Sequence, residues 1–128
     1  MSIEFIPHKY QKGMVKFMNK VHKCYLAAEP GLGKTAVSLM RINQIKQKTL
    51  VVAPLRIAYG VWPAEIEKWT NFQNIKLTVL HGPDKEKAFL SNRFGVYVIN
   101  PEGLKWLDQM VIKHKRFPWK VLVIDEAA

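Results

Sequence analysis

The sequence predicts an α/β fold, a three-layer sandwich with a mainly parallel sheet. Three observations carry that expectation. Short apolar runs rich in Val, Ile and Leu alternate with longer stretches whose apolar residues recur at spacings of three and four. The first apolar run leads directly into the glycine loop Ala28-Glu29-Pro30-Gly31-Leu32-Gly33-Lys34-Thr35, which opens onto a helical pattern. The last run, Lys120 to Ile124, ends in Asp125-Glu126.

Pro7 to Lys23 reads as an amphipathic helix. Tyr10, Met14, Phe17, Met18 and Val21 fall on one face, lysines fill much of the rest, and Pro7 suits the first turn. Cys24 to Ala28 is a short strand, and a helix from Lys34 to Lys46 carries Leu39, Ile42 and Ile45. Thr49 to Ala53 is a buried parallel strand stopped by Pro54. Arg56 to Trp69 is helical, with a restart expected near Gly60 and Pro63. Ile75 to Leu80 is a strand. The turn His81-Gly82-Pro83-Asp84 follows, with Asp84 capping a short helix to about Asn92. Val96 to Ile99 is a strand, and Asn100-Pro101-Glu102 opens a helix containing Leu104, Leu107 and Val111. Lys113 to Pro118 is a basic loop before the final strand.

A chain of 128 residues with 48% hydrophobic content suits one compact domain. No apolar run approaches the ~20 residues that span a bilayer, and the amino terminus lacks a signal-peptide layout. The single cysteine, Cys24, permits no internal disulfide and fits a reducing intracellular compartment, cytoplasmic, nucleoid or nuclear. Four scattered histidines and one cysteine make no zinc cluster. Twenty basic against ten acidic residues give a net charge of +10, and the pI is about 9.8. That balance suits a polyanionic partner, nucleic acid first, or a domain whose lysines simply coat its helices.

Strand, glycine loop and helix form the context of a phosphate cradle. Glycines let several backbone N–H groups converge on one phosphate, and a helix amino terminus adds partial positive charge. Lys34 is expected to reach the β- and γ-phosphates of ATP, and the Thr35 hydroxyl to ligate Mg²⁺. Pro30, Gly31, Leu32 and Gly33 supply the cradle's backbone, although Ala28 stands where the usual pattern begins with glycine. A buried strand delivering Asp125 and Glu126 is the complementary signal. Asp125 is expected to hold Mg²⁺ through water, and Glu126 to orient or deprotonate the attacking water.

Taken together, these motifs resemble the first RecA-like lobe of Swi/Snf-like ATPases of helicase superfamily two, from Pro7 to Ala127. Pro7-His8-Lys9-Tyr10-Gln11 resembles the family's adenine-recognition segment, with His8 in place of the usual Arg. The resemblance assigns His8, Tyr10 and Gln11 to the adenine. Ala28 to Thr35 is similar to a phosphate loop that often begins with an acidic residue. Trp62, Glu65 and Trp69 reproduce a W…E…W spacing that generic phosphate-loop proteins lack. Both indoles are expected to serve mainly by packing their helix on the sheet. Asp125-Glu126-Ala127 matches D-E-A, while Pro101 replaces a usual Tyr and Ala128 a usual polar residue.

The resemblance implies one incomplete RecA-like P-loop domain over residues 1–128, binding ATP and Mg²⁺ and contacting DNA, with duplex DNA favoured. It places Pro54, Arg56, His81, Gly82 and Asn100 on the nucleic-acid side, with Arg56 the main phosphate contact. The sequence stops just after Asp125-Glu126, before the coupling motifs and the second lobe, so hydrolysis by the chain alone is expected to be weak. In RecA-like sheets a later strand lies between the phosphate-loop strand and the D-E strand. Here those two strands either pair directly, accept a strand from another chain, or leave Val121 to Ile124 poorly held; an open apolar edge favours self-association. The alternative function is a basic nucleic-acid adaptor retaining a relic nucleotide loop.

Overall fold

The computed structural model describes Phe17 and residues 19–27, 34–91 and 95–125. Among the described residues, five strands form a single sheet: β1 (Lys23–Ala27), β2 (Thr49–Val52), β3 (Leu77–Val79), β4 (Val96–Ile99) and β5 (Val121–Asp125). Their spatial order is β1-β5-β2-β4-β3, and every pairing is parallel. The α-helices described between them are α1 (Lys34–Ile45), α2 (Leu55–Lys68), α3 (Lys85–Phe89) and α4 (Leu104–His114).

Strand alternation sorts the core into two layers. Leu50, Val52, Tyr97, Ile99, Leu122 and Ile124 point to one face, where Phe89 of α3 and Leu104, Leu107 and Val111 of α4 cover them. Val51, Val96, Val98, Val121 and Val123 point to the other, under Leu39 and Ile42 of α1 and Ile57, Ala58 and Trp62 of α2. The three-layer α/β sandwich expected from the sequence is the observed architecture. Both faces of the central strands are covered, which is why those strands read as unbroken apolar runs.

Direct pairing resolves the question of the D-E strand. β1 and β5 run together over five residue pairs, Lys23 opposite Val121 through Ala27 opposite Asp125. With β2 on its other side, β5 is buried throughout. Val121 to Ile124 is therefore firmly held, and β1 rather than β5 forms an edge of the described sheet.

Several element boundaries differ from expectation. The first helix does not reach Lys23: the Lys20 amide bonds back to the Phe17 carbonyl in a turn, and β1 has begun by Lys23. The rest of that helix lies outside the described residues. No restart occurs at Gly60 or Pro63, because α2 runs through both. An interior proline costs about 3 kcal/mol in an isolated helix. Full burial of Trp62, at roughly 150–250 Å² and 25 cal/mol per Å², returns about 4–6 kcal/mol from the same turn. Tertiary burial wins. Asp84 occupies the N-cap position of α3 without a side-chain capping bond, and α3 stops at Phe89. A 3-10 turn, Pro101–Gly103, precedes α4, and α4 takes in Lys113 and His114 from the expected basic loop.

Candidate functional site

Parallel pairing brings all five strand carboxyl ends to one end of the sheet. β1 ends at Ala27, immediately before the glycine loop, and β5 ends at Asp125; the two residues are direct register partners. α1 leaves the same end with Thr35 in its first turn, 5% exposed. The carboxyl ends of β2, β3 and β4 are followed by Pro54 and Arg56, by His81 and Gly82, and by Asn100. Thus Thr35, Asp125 and all five candidate nucleic-acid residues share one end of the sheet. His8, Tyr10, Gln11, Pro30, Gly31, Leu32, Gly33 and Glu126 lie outside the described residues, as does the side chain of Lys34.

Asp125 has no exposed surface. Strand alternation puts it on the α1–α2 face with Val121 and Val123, and there the Trp62 indole N–H donates to its Oδ2 at 3.0 Å. A buried carboxylate needs donors, and a hydrogen bond to a charged group is worth about 1.5–3 kcal/mol. Trp62 is therefore more than a packing residue. The sequence predicts a mainly packing role for it, although the i, i+2 alternation from Val121 and Val123 directs Asp125 toward the α2 layer.

The second indole departs from expectation. Trp69 is 44% exposed, and its N–H donates to Glu65 Oε2 at 2.8 Å, one helical turn earlier. The Lys68 ammonium lies 5.2 Å from its ring centroid. It does not pack α2 on the sheet. The W…E…W spacing thus joins two separate devices: one tryptophan bonded to Asp125 and one latched to its own helix.

Among the candidate nucleic-acid residues, Arg56 is exposed in the first turn of α2, which Pro54 starts by accepting the Ile57 and Ala58 amides through its carbonyl at 2.9 Å. The Tyr59 hydroxyl and His81 Nδ1 are 3.0 Å apart, tying α2 to the turn after β3. Gly82 has φ +93, which a side chain resists. Asn100 is 8% exposed and donates through Nδ2 to Glu102 Oε1 at 3.0 Å, so its amide also organises its own turn.

The donor set suits Mg²⁺. A hydroxyl and a carboxylate are hard oxygen ligands, and Mg²⁺ keeps several waters, so few protein oxygens are required. Among the described residues no cluster of three His, Cys, Asp or Glu could hold a metal by itself, and no helix is long and apolar enough to cross a membrane.

Fold and site define a parallel α/β domain with its candidate residues gathered at the strand carboxyl ends, the usual ligand edge of such sheets. The particular family follows from comparison: the SNF2-related domain matches residues 10–128, and the chain belongs to that family. It is 29% identical over 131 residues to "Putative protein p41" of Acyrthosiphon pisum secondary endosymbiont phage 1, covering 96% of this chain and 28% of that protein. It is 27% identical to the chromatin remodeling factor mit1 of Schizosaccharomyces pombe, over 82% of this chain and 8% of that protein. A shorter match, 36% identical over 50 residues, covers 39% of this chain and 11% of the probable helicase D10 of Escherichia phage T5. The chain spans little more than a quarter of p41 and less than a tenth of mit1. No solved structure gives a significant match.

Proposed function

We propose that the chain is the ATP-binding first lobe of a Swi/Snf-type DNA-dependent ATPase, with weak hydrolysis on its own. The observation that carries this reading is the register of β1 against β5. It sets Asp125 beside Ala27, the residue that launches the glycine loop. Pro30 to Gly33, with Lys34 and Thr35, bind the phosphates. His8, Tyr10 and Gln11 receive the adenine. Thr35 and Asp125 would supply the protein oxygens for Mg²⁺, which when bound would neutralise phosphate charge. The Trp62 N–H fixes the orientation of Asp125, and Glu126 orients the water. Pro54, Arg56, His81, Gly82 and Asn100 face DNA, a partner class supported by the helicase and chromatin-remodeling names of the relatives. A second lobe completes the cleft, and the β1 edge offers a place for a further strand or a second copy.

Calorimetry with ATP·Mg²⁺ tests this reading. Lys34→Ala should abolish binding; unchanged affinity sinks it. A nucleic-acid adaptor with a relic loop instead predicts DNA binding, sensitive to salt and indifferent to both ATP and Lys34.

A further inference from the structure

The opposite end of the sheet, where the strands begin, has a separate character. The connections reaching it contain Lys20 and Lys23 before and at the start of β1, Lys46 and Lys48 before β2, Lys76 before β3, and Lys115, Arg116 and Lys120 before β5. Described residues 19–23, 46–48, 73–76 and 115–120 include neither Asp nor Glu. A strand of five residues at ~3.3 Å each puts this pole about 16 Å from the carboxyl-end site.

Within the pole, two loops enclose a groove of about 450 Å³ lined by Lys46, Lys48, Arg116, Phe117 and Lys120, among others. Backbone bonds fix the loops to each other: the Lys120 and Val121 amides both donate to the Lys48 carbonyl, at 2.9 and 3.3 Å. Lys48 is partly buried. Desolvation first, and the nearby Arg116 charge second, lower its pKa. A partly desolvated lysine ammonium is stabilised by an anion in contact with it. Lys46 and Lys115 also hold left-handed backbone, φ 56 and 53, where glycine or asparagine is the easier choice. Helix C-termini attract cations and so account for those two lysines. They do not account for Lys48 and Lys120, which lie outside helices.

We propose that this amino-end groove is a second nucleic-acid contact, binding the phosphodiester backbone independently of the nucleotide site. Regularly spaced phosphates match a basic strip crossing several loops better than one compact anion does. Two acidic side chains of the flanking helices are engaged elsewhere: Glu86 by Lys113 and His114, and Glu65 by Trp69.

The test is fluorescence anisotropy of a labelled ~20-base-pair duplex titrated with the full chain at several salt concentrations. Replacing Lys46, Lys48 and Lys120 together by Gln should lower the slope of log affinity against log salt by about 2–3, at ~0.9 per lost phosphate contact. ATP affinity should be unchanged. A Lys→Arg triple variant should retain the wild-type slope, and circular dichroism of both variants should match wild type. Arg56→Gln reports separately on the other end. An unchanged slope in the Gln variant, equal loss in the Arg variant, or no duplex binding by the wild type overturns the proposal. Displacement of the duplex by inorganic tripolyphosphate at equal phosphate concentration would assign the groove to a free oligophosphate instead.

Discussion

Trp62→Phe isolates the bond between α2 and Asp125. Phenylalanine keeps an aromatic body in the α1–α2 layer but has no donor for Asp125 Oδ2. Two losses add. Shrinking a fully buried indole to a phenyl ring leaves a small void worth about 1–2 kcal/mol, and losing the donor to a buried carboxylate costs about 1.5–3 kcal/mol more. The expected destabilisation is therefore roughly 2.5–5 kcal/mol, read as the shift in a urea unfolding curve. The molecule supplies its own control. Trp119 is equally buried, at 1% exposure, but its Nε1 has no hydrogen-bond partner. Trp119→Phe should therefore cost only the void term. A double-mutant cycle with Asp125→Ala separates the bond from the packing, with an expected coupling of about 1.5–3 kcal/mol. Equal costs for the two Trp→Phe changes, with coupling near zero, would refute the assignment of Trp62 as the residue that orients Asp125.

Other expectations concern the scaffold. A Cβ on Gly95 would lie 2.5 Å from the Lys76 carbonyl oxygen, which also accepts the Val96 amide, so Gly95→Ala should lower stability by about 1–3 kcal/mol in chemical denaturation. Glu86 has its pKa lowered, first by its hydrogen bond to Lys113 and then by that to His114. A lowered folded-state pKa gives stability that is present above the unfolded carboxylate value and lost as pH falls through the folded one. Glu86→Gln should therefore flatten the acid side of the stability–pH profile, below about pH 4.5. Burial pushes the Cys24 thiol up to about 11. At pH 8 its alkylation by iodoacetamide should run about 100-fold slower than that of a free cysteine and should accelerate as pH approaches 11.

The layers of the fold were legible because each strand carries its burial in its composition. Val96 to Ile99 is uniformly apolar and is buried on both faces. The site was legible as a set of strand ends, since a parallel sheet necessarily collects Pro54, His81, Asn100 and Asp125 at one end. Pairwise geometry was not. Trp62 and Asp125 are 63 residues apart, and only the folded packing of α2 on the sheet brings them together. Pro63 misled because local propensity favours a break there, whereas Ile57, Ala58 and Trp62 share a buried face that continues through it. The basic pole was hidden for a similar reason. Lys46 to Lys48 and Arg116 to Lys120 are distant in sequence and meet because β2 and β5 are parallel neighbours.

The proposed function requires the carboxyl ends of β1 and β5 to form one Mg²⁺-dependent nucleotide site. Calorimetric titration of ATP, with and without Mg²⁺, into wild type, Lys34→Ala and Asp125→Asn tests it most directly. Wild type should bind ATP more tightly with Mg²⁺, Lys34→Ala should not bind, and Asp125→Asn should lose the Mg²⁺-dependent increment while retaining metal-free affinity. Wild-type binding that is absent, or identical with and without the metal, would contradict the proposed function.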